Sequence, residues 1–380
     1  KKSRAKKSRA KKSRAKKSRA KKSRSKKSRS KKSRSKKRSK RSSSEAKKSK
    51  RRSGKSNSGK KRKTPGHPDC DYRTPIYEHK VAEGEHVGSI AGRYGVRRAD
   101  IIKLNSALQK NPNLIHPGQT LRVCPDIAPR VRVEKQHTVA KGESLGKIAG
   151  HYGLTVRELV GLQAGKLRTQ LEKNPNSLWV GTKLRILVEK QVLEVYKPPA
   201  EDVGRLPVGV KLKPRSGVLI KRDHLVWGTK ATIRALEKAI KTYYRRKPGG
   251  PKVRVGDISK KGGGALRGHL SHQRGVDVDI GIVHKGSKRN AERFTHATSE
   301  NFDVARTWAL LKAIIDTQAV RVVFLDYALQ KRLYQYARKQ GVSENTLDEL
   351  LQYPRGRGRA FGIVRHWRSH RGHLHVRFRR

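Results

Sequence analysis

The stretch that decides the C-terminal fold is Val276-Asp-Val-Asp-Ile280, in which apolar residues alternate with acids. This alternation predicts a strand that turns its apolar side chains toward a core and both carboxylates toward the opposite face. A second stretch, His373-Leu-His-Val376, alternates in the same way and predicts another strand. If the two strands pair, Asp279 and His375 approach one another on the polar face.

Histidines are concentrated around these two predicted strands. Six of the 15 histidines lie in two short clusters: His269, His272, His366, His370, His373 and His375. Two imidazoles and one carboxylate, with one position left open for water, are typical of a catalytic zinc site. A half-exposed sheet face with ordinary polar residues would show the same alternation. The clustering favours the metal site, which His272 reaches from the glycine-rich loop before the first strand.

The surrounding sequence predicts an α+β domain of residues 216–380 with a central antiparallel sheet. Helical spacing of Ile233, Leu236, Ile240 and Tyr243 indicates a helix over residues 229–244. The other predicted helices cover residues 302–317 and 328–340. The predicted strands cover residues 253–258, 276–282, 320–325 and 373–378.

The N-terminal part of the chain is a basic tail. Residues 1–35 are seven Lys-Lys-Ser-Arg-Ala or Lys-Lys-Ser-Arg-Ser pentapeptides, and residues 1–63 hold 36 of the 96 Lys and Arg. Such a segment has no apolar residue larger than alanine, so residues 1–66 are predicted to be disordered. Its charge predicts an acidic polymer or membrane surface as partner. Nucleic acid is a less favoured partner, and a purely solubilising role is the simplest alternative.

An internal repeat follows the tail. The segment from His79 to Gly95 aligns with residues 137–153 at an offset of 58, and Asn111-Pro-Asn113 aligns with residues 174–176 at an offset of 63. The second copy therefore has five extra residues, placed within 165–172. Each copy reads as strand, helix, helix, strand, which predicts small modules over residues 77–124 and 135–189. A linker over residues 190–215 separates them from the C-terminal domain.

Both copies resemble the lysin motif (LysM), through Gly-Glu-x-x-x-x-Ile-Ala and Asn-Pro-Asn followed by Gly-x-x-Leu. The resemblance implies that each module binds N-acetylglucosamine-containing glycans. In that family the glycan-binding groove lies between the first strand–helix turn and the loop before the last strand. The alternative is that these residues only build turns and helix caps. The implied glycan-binding positions are Gly84, Glu85, His86, Asn113, Gly142, Glu143, Ser144 and Asn176.

Two further features concern the compartment. Cys70 and Cys124 bracket the first module, which favours a disulfide and an oxidising compartment over two free thiols. The sequence begins at Lys1 and contains no methionine, so we expect that it is not the primary translation product. Removal of a signal peptide and trimming both explain this. No apolar run approaches the roughly 18–20 residues of a transmembrane helix.

The C-terminal region resembles the penicillin-insensitive murein endopeptidases, which belong to a zinc peptidase group with lysostaphin-type enzymes and D-Ala-D-Ala carboxypeptidases. The resemblance covers roughly residues 216–380. It rests on Val255-Gly-Asp-Ile-Ser259, Gly262-Gly-Gly264, Gly268-His-Leu-Ser-His-Gln-Arg-Gly-Val-Asp-Val-Asp-Ile280 and His366-Trp-Arg-Ser-His-Arg-Gly-His-Leu-His-Val-Arg377.

This resemblance implies a role for each residue of the clusters. His272, Asp279 and His375 are the implied zinc ligands, His373 is the implied catalytic histidine, and His370 is a further active-site residue. Two more residues match motif positions, His269 and Asp277, and we expect them to orient the ligands or the loop.

The leading hypothesis is a secreted, periplasmic or extracellular zinc peptidase that cuts peptide cross-links of peptidoglycan. The LysM modules would bind its glycan strands, and the catalytic domain would bind its cross-link peptides. A D-Ala carboxypeptidase or an amidase of the same zinc group is the alternative within enzymes. A non-catalytic protein that binds polyanions or the cell envelope is the alternative outside them.

Overall fold

The computed structural model describes residue 70 and residues 75–192, 204–286 and 294–379. The predicted disordered tail, residues 1–66, lies outside the described residues, and so do residues 193–203 of the predicted linker. Among the helices that are described, none combines the length and apolar character needed to cross a membrane.

The first repeat forms a small module on two antiparallel strands. Its elements are β1 (Tyr77–Lys80), α1 (Val87–Tyr94), α2 (Arg98–Leu104), α3 (Ala107–Lys110) and β2 (Thr120–Val123). The predicted order is therefore right, except that the short helix α3 was not predicted. Its core is one cluster of apolar side chains, and a disulfide joins Cys70 to Cys124 at its edge.

The second repeat forms the same kind of module with a longer third helix. Its elements are β3 (Arg130–Thr138), α4 (Leu145–Tyr152), α5 (Val156–Gly161), α6 (Gly165–Lys173) and β4 (Lys183–Val192). The extra residues of this copy lie within α6, where Leu171 is fully buried and anchors the helix to the module core. The insertion is thus an ordered element of the module.

The C-terminal region is built on a six-stranded sheet with the order β11-β10-β12-β9-β8-β6. These strands are β6 (Val218–Ile220), β8 (Val253–Val255), β9 (Asp277–Gly281), β10 (Val320–Phe324), β11 (Val364–Arg365) and β12 (His373–Phe378). A separate two-stranded sheet pairs β5 (Val210–Lys211) with β7 (Trp227–Gly228).

The prediction of a central antiparallel sheet is right for four strands and wrong for the edges. The pairs β8–β9, β9–β12 and β12–β10 are antiparallel, whereas β6–β8 and β10–β11 are parallel. The reason is connectivity, because helices lie between the members of each parallel pair and allow the chain to cross back in the same direction. The sheet is therefore mixed.

Four helices pack with this sheet: α7 (Lys230–Arg246), α8 (Val304–Ile315), α9 (Tyr327–Lys339) and α10 (Glu344–Leu350). The first three match predicted helices, and α10 was not predicted. At the start of α7 the Thr229 side chain accepts a hydrogen bond from the backbone of Thr232, which satisfies one free N–H group. The four apolar residues that predicted this helix are buried in the main core.

The first module contacts the C-terminal region through a glycine face of α1. A Cβ atom added at Gly88 would lie 1.9 Å from the carbonyl oxygen of Asn345, and one added at Gly92 would lie 2.2 Å from that of Asp348. The backbone N–H of Gly88 also donates to the Asn345 side chain at 2.6 Å. Only glycine allows α1 to approach α10 this closely.

This contact leads to a prediction with an internal control. We expect Gly88→Ala to destabilise the protein by about 1–3 kcal/mol, because the added methyl group overpacks the contact between α1 and α10. The equivalent Gly146 in α4 has no atom within 4 Å of an added Cβ. Gly146→Ala should therefore stabilise its helix by up to about 1 kcal/mol. Thermal unfolding of both variants measures the difference, and equal shifts would contradict the contact.

Candidate metal centre

The strands β9 and β12 bring the polar residues of both motifs to one face. They pair directly, with His375 opposite Asp279 and Arg377 opposite Asp277. The alternate residues of both strands point into the main core, as the alternation predicts: Val278, Ile280, Leu374 and Val376. The sheet register therefore places a carboxylate and an imidazole next to each other without any help from loops.

Three side chains place their donor atoms at the corners of a small triangle. His272 Nε2 lies 3.2 Å from His375 Nδ1, His375 Nδ1 lies 3.1 Å from Asp279 Oδ1, and His272 Nε2 lies 3.3 Å from the same oxygen. Ligands about 2.0–2.1 Å from a tetrahedral zinc ion are separated by about 3.3–3.4 Å. Two imidazoles and a carboxylate at these separations fit a metal with an open fourth position, and all three side chains are buried.

Each imidazole of the triangle is oriented through its other nitrogen. His272 Nδ1 donates to the carbonyl oxygen of Ile258 at 3.1 Å, which leaves the lone pair on Nε2 free to bind a metal. His375 Nε2 lies 3.1 Å from Asp277 Oδ1, and Arg377 Nε donates to the same oxygen at 2.7 Å. Such contacts fix ring orientation and tautomer in metal sites.

The backbone of His272 is in an uncommon conformation. Its φ is +62°, in the left-handed region that residues other than glycine rarely adopt. Its N–H group lies 3.3 Å from Asp277 Oδ2. Conformations of this kind persist where surrounding contacts hold them, and they cluster at functional sites.

The charges of the triangle compensate one another. Burial by itself raises the pKa of Asp279, but hydrogen bonds from His272 and His375 hold that pKa well below its ordinary value. Burial by itself lowers the pKa of His375, but hydrogen bonds to Asp277 and Asp279 raise it to about 9. The proton held by His375 thus supplies positive charge beside the carboxylates of Asp277 and Asp279. A metal would replace it, because imidazole binds metals in its neutral form.

His373 and His370 lie beside the triangle. His373 Nε2 is 3.7 Å from Asp279 Oδ1, and its ring stacks on Phe294 at a centroid distance of 5.0 Å. Burial lowers the pKa of His373 to about 4, so its ring is neutral at pH 7. The His370 ring lies 4.7 Å from the His373 ring, and His370 Nδ1 donates to the carbonyl oxygen of Arg368 at 2.8 Å.

His269 also lies close to the triangle, with 4.3 Å between its ring centroid and that of His272. Donor atoms of His269, His272 and Asp279 all lie within 4.8 Å of one another, so this set overlaps the triangle. However, His269 Nε2 contacts Asp257 at 2.9 Å, whereas the three donors of the triangle approach one another more closely. The geometry therefore favours His375 over His269 as the third donor.

Sequence reasoning gave no role to three side chains that shape this centre, although two of them stand in the motifs quoted above. Asp257, buried and paired with Arg222, contacts His269, but no spacing relates it to the histidine motifs. The alternation of β12 could have revealed Arg377, because it continues the face of the two β12 histidines. Phe294 comes from a segment for which no element was predicted.

The predicted glycan-binding residues of the first module lie in two different places, some at a cavity and others in contact with the C-terminal region. Gly84 and Glu85 line a cavity, although the Glu85 carboxylate also accepts from the backbone of residue 82 and contacts His79. His86 caps α1, and its Nδ1 lies 3.1 Å from the side-chain oxygen of Asn345. The Asn345 amide also donates to Asn113 at 3.0 Å. The C-terminal region thus contacts part of the predicted groove.

The predicted glycan positions of the second module lie at turns and caps. Gly142 adopts a φ of +82°, and the Glu143 carboxylate accepts from the backbone of Ala140 at 2.9 Å. Ser144 caps α4, and the backbone of Asn176 donates to the side chain of residue 174. Both proposed uses of these residues, in turns and in glycan binding, are compatible with this placement.

Comparisons with known proteins give matches that each cover only part of the chain. A probable autolysin of Staphylococcus aureus, SsaALP, is 36% identical over 101 residues, which are 25% of this chain and 36% of that protein. The N-acetylmuramoyl-L-alanine amidase sle1 of Staphylococcus epidermidis is 36% identical over 86 residues, or 22% of this chain and 26% of that protein. This chain thus spans about a third or less of these relatives. The spore cortex-lytic enzyme SleL of Bacillus cereus matches at 17% identity with a TM-score of 0.12, covering 70% of this chain and 49% of that chain.

Family profiles match specific segments of the chain. Residues 79–123 and 137–187 match the LysM domain, and residues 216–380 match the penicillin-insensitive murein endopeptidase family. The second match contains the strands, the histidine motifs and the donor triangle described above. The chain therefore combines two segments that match the LysM domain with a C-terminal region that matches the penicillin-insensitive murein endopeptidase family.

Proposed function

We propose that this protein is a secreted, zinc-dependent peptidoglycan endopeptidase that hydrolyses peptide cross-links between D-Ala and a diamino acid. The donor triangle of His272, His375 and Asp279 carries the proposal, because its separations fit one tetrahedral ion. The proposal keeps the predicted domain partition, with modules at 77–124 and 135–189, a linker at 190–215 and the peptidase domain at 216–380. The LysM matches support glycan strands as the second partner.

The residues around the triangle have distinct roles in this proposal. A zinc ion, when bound, lowers the pKa of a water molecule toward ~7 and polarises a carbonyl oxygen. Asp277 orients His375, and the Ile258 carbonyl orients His272. His373, neutral and next to the ligands, would shuttle a proton between the water and the leaving amine, or stabilise the tetrahedral oxyanion. His370, whose ring centroid lies 4.7 Å from that of His373, is a further active-site residue in this proposal.

The proposed location is the periplasm or the extracellular space, where peptidoglycan and an oxidised Cys70–Cys124 pair occur together. The basic tail would hold the enzyme near an acidic polymer or membrane surface. Such binding is electrostatic and should weaken as salt is raised.

Digestion of purified peptidoglycan tests the proposal. We expect cross-linked dimers to disappear and monomers to accumulate, a chelator to stop this change, and added zinc to restore it. Mass analysis of the fragments distinguishes the alternatives. Loss of terminal D-Ala alone identifies a carboxypeptidase, and separation of peptides from glycan identifies an amidase. Unchanged peptidoglycan would contradict an enzymatic function.

A further inference from the structure

A cavity of about 510 Å³ lies between the two LysM domains, away from the metal centre. One wall is formed by the β1–α1 turn of the first domain together with Ile115 and Pro117. The other wall is formed by α5 and α6 of the second domain. Its volume falls within the roughly 300–1,000 Å³ range of small-molecule sites.

The two domains meet directly at this cavity. Gly84 has a φ of +75°, and a Cβ atom added at Gly161 of α5 would lie 3.0 Å from the Gly84 Cα atom. Two glycines therefore let the turn of the first domain reach the helix backbone of the second. The cavity is a property of the pair, since neither domain contains both walls.

The insertion of the second domain builds part of the second wall. Arg168, on α6, donates from Nη1 to Glu83 of the first domain at 2.9 Å and from Nε to Glu172 at 2.9 Å. Leu171, on the same helix, is both a cavity residue and a core residue of its domain. The extra residues of this copy thus anchor α6 in its own domain and link it to the neighbouring one.

We infer that the two LysM domains form one composite glycan site in this cavity, with α6 as its second wall. This inference rests on the proposed function, which supplies the polymer. The Arg168 guanidinium is paired with two carboxylates, so it offers hydrogen bonds without a large unbalanced charge. Ile115, Pro117 and Val156 add apolar surface for sugar ring faces. This combination suits an uncharged N-acetylated sugar chain, rich in hydroxyl and amide groups, better than a free anion.

Calorimetric titration with the N-acetylglucosamine tetramer tests the composite site on the whole protein. We expect one tetramer per protein, whereas independent grooves would bind two. Pro117→Trp places a bulky ring in the cavity and should weaken binding about tenfold or more. Val180→Trp adds the same ring at the equivalent exposed position of the second domain, outside the cavity, and should leave affinity nearly unchanged. Equal losses in both variants, or two bound tetramers, would overturn the inference.

A second pair of variants tests the insertion helix. Arg168→Ala should weaken tetramer binding by about tenfold. Lys166→Ala removes the same charge from the same helix outside the cavity and should have little effect. Peptidoglycan digestion by each variant separates this inference from the proposed function. If the unmodified protein hydrolyses peptidoglycan but does not bind the tetramer, the composite site alone is overturned. If it binds the tetramer but does not hydrolyse peptidoglycan, the endopeptidase proposal alone is overturned.

Discussion

His375→Ala is expected to lose both its metal and its hydrolytic activity. His375 Nδ1 is one corner of the donor triangle, at 3.1 Å from Asp279 Oδ1 and 3.2 Å from His272 Nε2. Alanine leaves two donors, which cannot supply the three protein ligands of a catalytic zinc site. His272→Ala should behave in the same way. Metal content of the purified variants and release of monomers from peptidoglycan measure the two losses.

His373→Ala should separate metal binding from catalysis. Its ring lies beside the triangle and contacts Asp279 at 3.7 Å, so we expect the variant to keep its metal. Loss of a positioned acid–base group reduces the rate by about 10²–10⁴-fold. His224→Ala, an exposed histidine of the same domain, is the matched control and should retain both properties. A fully active His375→Ala protein would rule out the ligand assignment.

The part of the metal centre that lies on strands was predictable from the sequence. Alternation in residues 276–280 and 373–376 predicts which side chains share a face, and the observed register places Asp279 opposite His375. The contact between Asp257 and His269 was not predictable in this way. It joins two irregular segments whose paths depend on tertiary packing.

The sequence patterns also did not predict which faces of the domains contact one another. Both repeats carry glycines at equivalent positions of their first helices, yet Gly88 contacts α10 and Gly146 has no neighbour within 4 Å of an added Cβ. Identical residues therefore serve an interface in one copy and a solvent face in the other. The short helix α10 that makes this contact has no long apolar period to predict it, because its seven residues span about two turns.

A buried ion network joins the C-terminal domain to the second LysM domain. Arg355 is 1% exposed, donates to Glu158 at 2.5 Å and to Asp348 at 3.1 Å, and lies 3.8 Å above the Phe361 ring. Burial by itself raises the pKa of Asp348, but the guanidinium of Arg355 and the nearby His86 hold that pKa below its ordinary value. The Asp348 carboxylate is thus kept charged in spite of its burial by the two neighbouring cationic groups, of which Arg355 contributes more.

Arg355→Met is expected to destabilise the protein by about 3–5 kcal/mol, because it leaves two buried carboxylates without their cation. Urea unfolding followed by tryptophan fluorescence measures the change. Arg185→Met removes an exposed partner of Glu134 and should leave the unfolding midpoint unchanged. Adding Glu158→Gln and Asp348→Asn to Arg355→Met should recover part of the loss, since neutral amides are less costly to bury than unpaired carboxylates.

The buried ion network also predicts how the free energy of unfolding depends on pH. Because the folded pKa of Asp348 is depressed, its contribution is fully present above the unfolded pKa of about 3.9. That contribution is lost as pH falls through the folded pKa, when the carboxyl group becomes protonated. Arg355→Met removes the main cause of this low pKa, so Asp348 should bind its proton at a higher pH in the variant than in the wild type. The difference in stability between the two proteins should therefore shrink as pH falls toward the folded pKa of the wild type. A difference that stays constant down to the pH of acid unfolding would show that the variant acts through packing against Phe361 and not through charge.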